Sequence, residues 1–364
     1  MNVLHIISAK TWGGGETAAL TMCKTLQESG YGVYIVLDGN NTLLKEKFAG
    51  VGCIKCIRMR WTESLSCIIE LRRFIKENEI KAVHTHTGRV IPMVLIAILG
   101  LDVKCIAYRH NVIQNKKDII HRMIYKNISA FVCVSNCVRK SQEKDMPQWM
   151  RNKIYVVHNG VDIHDEYFSE CMSIKKRKDK FTIGYAGRIV ENKGLLWLVK
   201  AFCKMDNDSV LKIAGDDSTE YAARIKSYLK QRKCERVEWL GYIGNMKEFY
   251  KQIDTMVCPS IVAEAFGLSI CEAMYYGIPV IASNNGAQGE IIEDEVDGFL
   301  VDSGDIDEIA NKLCYLKDNY EIRVELGKNA HNKIKRNFTT EMWIKKMQVV
   351  YDEIFDERKG VYNV

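Results

Sequence analysis

Two pairs of charged residues stand out for their types and spacing. Glu264 and Glu272 are eight positions apart in Ser260-Ile261-Val262-Ala263-Glu264-Ala265-Phe266-Gly267-Leu268-Ser269-Ile270-Cys271-Glu272. The apolar run before this segment, residues 255–258, reads as a strand, Gly267 as a turn, and Leu268 onward as a helix. Glu264 then sits on the loop and Glu272 at least a turn into the helix. A helix start offers unpaired backbone N–H groups and the positive end of the dipole, which suit a phosphate or sugar hydroxyls. A carboxylate deeper in the helix accepts two hydrogen bonds side by side and fits the two hydroxyls of a ribose. The plainer reading is a capped helix with incidental acids.

The second pair is Arg188 and Lys193, in Gly184-Tyr185-Ala186-Gly187-Arg188-Ile189-Val190-Glu191-Asn192-Lys193-Gly194. A strand ends there in a glycine turn just before a helix. Two cations on such a loop would clamp a diphosphate leaving group through charge-assisted hydrogen bonds. A surface charge pair is the plainer alternative. The chain has no G-x-x-x-x-G-K-[ST] loop and no G-x-G-x-x-G, so it is not a P-loop protein, and a dehydrogenase is disfavoured.

These loops need strands and helices to hold them, and the chain supplies them in alternation. In the first half, apolar β-rich runs at 3–7, 33–37, 82–85, 104–107, 130–134 and 154–157 are separated by helical patterns at 16–28, 64–77, 90–99, 119–126 and 136–144. The charged stretch 173–180 has no apolar face and reads as a linker. The pattern then restarts. Strands are expected at 181–185, 210–214, 236–240, 255–258 and 279–282, with helices at 195–204, 221–231 and 268–276 and a mostly helical tail from 305 to 357. Continuous apolar strands alternating with helices imply parallel sheets covered on both faces. The expected organisation is an N-terminal domain over 1–170, a linker over 171–180, a second domain over 181–340 and a terminal helical segment over 341–364. Ligands of such sheets bind at the carboxyl ends of the strands.

A chain of 364 residues fits two domains, and 47% hydrophobic with 27% charged residues is ordinary for a globular enzyme. The net charge of +6 is uneven: residues 1–165 carry 23 Lys and Arg against 14 Asp and Glu, and the remainder 29 against 32. The basic half suits an anionic membrane surface, a phosphorylated lipid or a nucleic acid, or serves solubility alone. Arg58, Arg60, Arg72, Arg73, Lys76, Lys116, Lys117 and Arg122 lie among apolar residues such as Trp61 and Ile69, a face suited to anionic lipid or simply solvated. No recognised nucleic-acid-binding motif is present. The 13 cysteines lie mostly in apolar runs and suggest a reduced, cytoplasmic chain. The spacing of Cys53 and Cys56 reads as strand or core, because no second pair completes a zinc site. The N-terminus reads as a strand, and the longest uncharged apolar run, 90–101, is shorter than the ~18 residues of a membrane span. Asp305 and Asp307 have D-x-D spacing and read as acids at a helix start.

The segment from Glu264 to Glu272 resembles the E-x7-E element of retaining glycosyltransferases of family four, which have the GT-B fold. Gly187-Arg188 with Lys193-Gly194 resembles that family's G-R-x-x-x-x-K-G element, and the two occur in the same order. Trp12-Gly13-Gly14-Gly15-Glu16 looks like the family's glycine-rich loop after the first strand, and His158-Asn159-Gly160-Val161-Asp162 like its N-G-V-D element.

The resemblance implies two Rossmann-like doubly wound parallel-sheet domains facing each other across a cleft, the terminal helix crossing back to the first. It implies a donor site built from Gly14, Gly15, Gly187, Arg188, Lys193, Glu264, Phe266, Gly267, Leu268 and Glu272. It also implies catalytic roles for His110, Arg188, Lys193 and Glu264, with His84 and His86 on the acceptor side. The loop 284–290 is expected near the donor. The implied reaction is transfer of a hexose-type sugar, with retention and without a metal or cofactor. The donor would be a UDP- or GDP-sugar, and the acceptor a hydroxyl of a glycan or lipid-linked molecule of bacterial surface polysaccharide or glycolipid biosynthesis. The enzyme would be cytoplasmic, with peripheral attachment at the inner face of the cell membrane as a further expectation. A nucleotide-sugar epimerase on the same fold and a non-catalytic sugar-nucleotide- or glycan-binding protein are the competing readings.

Overall fold

The computed structural model describes residues 1–39, 41–59, 64–116, 118–144, 146–162, 168 and 180–356. Apart from Lys180, the expected linker lies outside these residues, as do Arg60, Trp61 and Lys117 of the basic set and residues 357–364 of the terminal segment. The chain forms two compact units, Met1–Gly160 together with the chain from Thr340, and Val161–Thr339.

The first unit holds seven strands, β1 (Asn2–Ile7), β2 (Gly32–Asp38), β3 (Cys53–Ile57), β4 (Ile80–Thr85), β5 (Lys104–Arg109), β6 (Ala130–Cys133) and β7 (Ile154–Val156). They form one parallel sheet in the order β3-β2-β1-β4-β5-β6-β7. The inner strands are apolar along their length because helices cover both faces. Leu4, Ile6, Val36 and Val83 share a buried cluster with Leu71 and Ile75 of the Ser64–Glu77 helix and Val94 of the Ile91–Ala97 helix. Arg72, counted in the basic set, caps that second helix by donating to the carbonyls of Ala97 and Leu99, each at 2.8 Å. Cys53 and Cys56 lie on the edge strand β3, where residues three apart point to opposite faces, so they cannot close on one ion.

The second unit repeats the plan with β8 (Phe181–Ala186), β9 (Ser209–Ala214), β10 (Val237–Gly241), β11 (Thr255–Cys258), β12 (Val280–Ser283) and β13 (Gly298–Val301). The order β10-β9-β8-β11-β12-β13 is again all parallel. In each sheet the strand order reverses once, between β1 and β4 and between β8 and β11. Loops diverge at such a point and leave a crevice at the carboxyl ends.

The strand β13 and the helices Thr42–Phe48, Gln148–Arg151 and Met246–Gln252 are absent from the sequence expectations. Each spans seven residues or fewer, too short for its periodicity to separate from a loop. The Thr340–Phe355 helix packs on the first unit's sheet, where the Tyr108 hydroxyl donates to Met347 Sδ at 3.0 Å. Asp305 caps the Ile306–Asp318 helix by accepting from the Glu308 N–H at 2.9 Å, while Asp307 pairs with Lys204. The D-x-D spacing is thus a helix start. Among the described residues no helix is long and apolar enough to cross a membrane, and no group of three or more His, Cys, Asp or Glu is disposed to hold a metal ion.

Candidate active site

In the second unit, the loops after β8 and β11 flank the switch point and carry the predicted charges. The loop after β8 ends in a 3-10 turn, Glu191–Lys193, followed by Gly194 at φ +70°. A Cβ at Gly194 would lie 1.8 Å from the Pro259 carbonyl oxygen, so only glycine allows this approach. The Ile261 N–H donates to the Asn192 carbonyl at 3.0 Å and ties the same two loops. That closeness brings Lys193 Nζ to 2.5 Å from Glu264 Oε1, and the Ser260 hydroxyl donates to the same oxygen.

The loop after β12 holds the arrangement from the other side. The Ala287 N–H donates to the Glu264 carbonyl at 2.9 Å and Asn285 Nδ2 to the Ser260 carbonyl at 2.7 Å. A Cβ at Gly286 would meet the Glu264 backbone nitrogen at 2.4 Å. Arg188 is exposed at the end of β8, and its backbone carbonyl accepts the Tyr185 hydroxyl at 2.9 Å.

Gly267, at φ +124°, starts the Leu268–Tyr275 helix without a side-chain cap. Glu272 stands on the fifth residue of that helix. Its Oε2 accepts a 2.7 Å hydrogen bond from the hydroxyl of Tyr250, a fully buried side chain of the Met246–Gln252 helix. Burial raises the Glu272 carboxyl above its ordinary value, and the Tyr250 bond opposes that rise. Tyr250 was not foreseen: it lies 22 positions before Glu272, and no local motif joins them. The Phe266 side chain is 4% exposed and packs its ring against Phe338, centroids 6.0 Å apart.

In the first unit the predicted histidines share one column of rings across three neighbouring strands. His5 stands on β1, His84 on β4 with His86 just past its end, Tyr108 on β5 and His110 immediately after it. Ring planes are 12–29° apart among these neighbours, from His5–His84 at 4.4 Å to Tyr108–His110 at 5.6 Å. His86 and His110 keep some exposure, and the Gly13–Gly15 turn opens the Gly14–Glu28 helix beside them. A Cβ at Gly15 would lie 3.7 Å from His110 Cβ.

The acceptor-side expectation for His84 is overturned. It is 0% exposed, and its Nε2 lies 2.9 Å from the hydroxyl of Tyr351 on the Thr340–Phe355 helix. It sits two residues deeper along the strand than His86, under that helix. Burial lowers its pKa to about 3 and that of His110 to about 4, and holds His5 and His86 well below the usual histidine value. His5 went unforeseen; its placement on the same face of an adjacent strand was the available signal.

Family models match both halves of the chain. Residues 12–165 match the model described as Glycosyltransferase Family 4, and residues 171–333 the one described as Glycosyl transferases group 1. The chain belongs to glycosyltransferase family 4. The UDP-Gal:alpha-D-GlcNAc-diphosphoundecaprenol alpha-1,3-galactosyltransferase of Escherichia coli is 25% identical to this glycosyltransferase over 324 residues, 81% of each chain. Among solved structures, a glycosyltransferase from Rickettsia africae superposes with a TM-score of 0.84 at 21% identity, covering 98% of this chain and 99% of that one. Anabaena Alr3699/HepE in complex with UDP and glucose superposes with a TM-score of 0.81 at 17% identity, over 97% and 99%. At such identities the structural likeness concerns the fold, which is GT-B.

Proposed function

We propose that this glycosyltransferase moves a hexose-type sugar, with retention, from a nucleoside diphosphate sugar to a hydroxyl of a glycan or lipid-linked acceptor in bacterial surface polysaccharide or glycolipid assembly. The observation that carries the reading is the cluster at the β8/β11 switch point, where Lys193, Ser260 and Glu264 are bonded together, with Arg188 exposed on the same loop as Lys193. The acceptor class is supported by the E. coli relative, whose name specifies a diphosphoundecaprenol-linked sugar, and the donor class by HepE, which binds UDP and glucose.

In this reading the second unit takes the donor. Cleavage of the sugar–phosphate bond builds negative charge on the leaving oxygen, and the preorganised cations Arg188 and Lys193 stabilise it, a kind of interaction worth a few kcal/mol per donor. The backbone N–H groups at Gly267 and Leu268 add to them. Two cationic side chains provide the charge compensation that a divalent ion gives in other phosphate chemistry, so we expect turnover without a metal. Glu264 holds hexose hydroxyls. Glu272, fixed by Tyr250, accepts the ribose hydroxyls. The leaving phosphate takes the acceptor proton. The first unit takes the acceptor, with His86 as its candidate acceptor-side residue, while Gly14 and Gly15 keep their proposed donor role and His110 its proposed catalytic role.

Membrane attachment would come from the Ile119–Lys126 helix, where Ile119 (75% exposed), Ile120 (65%) and Met123 (66%) lie beside exposed Arg122 and Lys116. An apolar face rimmed by cations suits the surface of an anionic bilayer.

The deciding experiment is release of nucleoside diphosphate from a panel of UDP-, GDP- and ADP-sugars, with and without EDTA and a polyprenyl-diphosphate sugar acceptor. Turnover of one donor that survives EDTA is expected. Glu272→Ala should weaken donor binding, whereas Lys193→Ala should mainly slow transfer; equal effects of both on KM and kcat would refute this division. No turnover of any donor with acceptor present would refute the transfer reading.

A further inference from the structure

Three imidazoles form a continuous hydrogen-bonded chain running inward from the partly exposed His110. His110 Nε2 lies 2.9 Å from His86 Nδ1, and His86 Nε2 lies 3.0 Å from His5 Nδ1. His5 Nε2, at the far end, is buried and has no hydrogen-bond partner among the described residues. The Tyr108 ring, with centroids 5.1 Å from His86 and 5.6 Å from His110, packs against both and helps hold this register. Burial keeps all three uncharged, so each ring has one N–H and one bare nitrogen.

Each contact joins the Nε2 of one ring to the Nδ1 of the next and needs one proton. The three rings must therefore share one tautomer. If all carry Nδ1–H, His110 turns an N–H outward and His5 Nε2 is a bare lone pair. If all carry Nε2–H, His110 turns an acceptor outward and an N–H of His5 is left buried without a partner. Buried N–H groups without acceptors are the rarer of the two defects in folded proteins. We propose that His86 and His5 are positioning residues that lock His110 as the Nδ1–H tautomer, so that it meets the substrate as a hydrogen-bond donor and not as a base. The role of that donor, toward a sugar hydroxyl or a phosphate oxygen, rests on the transfer reading above; the shared tautomer does not.

The test is the tautomeric state of the eight histidines in the intact protein, read by 15N NMR at neutral pH, where protonated and bare ring nitrogens resonate in separate regions. His5, His86 and His110 are expected to show Nδ1–H alike. A mixed set, or Nε2–H at His110, overturns the proposal. His86→Asp presents only an acceptor to His110 Nε2, so His110 should take a proton there and lose the pure Nδ1–H state. His86→Asn can keep an N–H near the position of Nδ1 and should retain the Nδ1–H form. With turnover established, His86→Asp should lower kcat about tenfold, and His86→Asn should restore most of it. A His110 that stays purely Nδ1–H in His86→Asp overturns the positioning role. The NMR result stands without any turnover, so loss of the transfer reading and loss of the proposal are told apart.

Discussion

Replacing Tyr250 by phenylalanine removes one hydroxyl from a fully buried ring and nothing else. That hydroxyl donates at 2.7 Å to Glu272 Oε2, and burial already pushes the Glu272 carboxyl above its usual value. A hydrogen bond to an ionised group contributes about 1.5–3 kcal/mol. Glu272 must be ionised to accept two ribose hydroxyls, so that loss lowers donor affinity by at most about ten- to a hundredfold, the full factor being reached at pH below the raised Glu272 value.

The pH dependence has a definite sign. Donor binding weakens as pH falls through the raised Glu272 value. Tyr250→Phe raises that value further, so the weakening begins at higher pH in the variant. The variant should also be less stable than wild type at neutral pH, with the gap narrowing on acidification, because a carboxyl raised by folding costs stability only where it is ionised. Calorimetric titration with the nucleoside diphosphate released in the donor panel, repeated across the acid-to-neutral range, measures both effects. Superimposable binding curves for wild type and Tyr250→Phe, or a midpoint that moves down, would refute the reasoning.

His5 and His84 are neutral and fully buried, so their stabilising contribution is present above about pH 6.5 and lost as pH falls below it. His84 alone should cost about 2 kcal/mol between pH 6.5 and 5, with His5 acting in the same direction. Urea unfolding that is flat from pH 7 to 5 would contradict this. Gly194→Ala forces a Cβ into the Pro259 carbonyl and a left-handed conformation that by itself costs about 1–2 kcal/mol. It should lower Tm and slow transfer together, through the displaced Ser260–Glu264 loop; an unchanged Tm would count against that coupling. Substituting Ile119, Ile120 and Met123 by serine should abolish co-sedimentation with anionic liposomes while leaving turnover of a soluble acceptor intact, and binding to neutral liposomes at equal strength would remove the charge argument.

Much of the plan is legible in one dimension. The alternation of apolar runs with helical patterns marks two parallel sheets because strands covered on both faces must be apolar throughout. The glycine turns at Gly187 and Gly267 mark where β8 and β11 hand over to helices, so the loops bearing Arg188, Lys193 and Glu264 and the helix bearing Glu272 could be located from spacing alone. Backbone geometry is local, and so is the signal.

What the residues do to one another is not local. Lys193 and Glu264 are 71 positions apart, Tyr250 and Glu272 are 22 apart, and His5 and His86 are 81 apart, yet each pair is in hydrogen-bond contact. Only the strand order, with β8 beside β11 and β1 beside β4, brings them together. The same order separates two histidines that look equivalent in the sequence. His86 falls past the end of β4 and joins the chain to His110, while His84, two residues earlier, is sealed beneath Tyr351 of a helix from the far end of the chain.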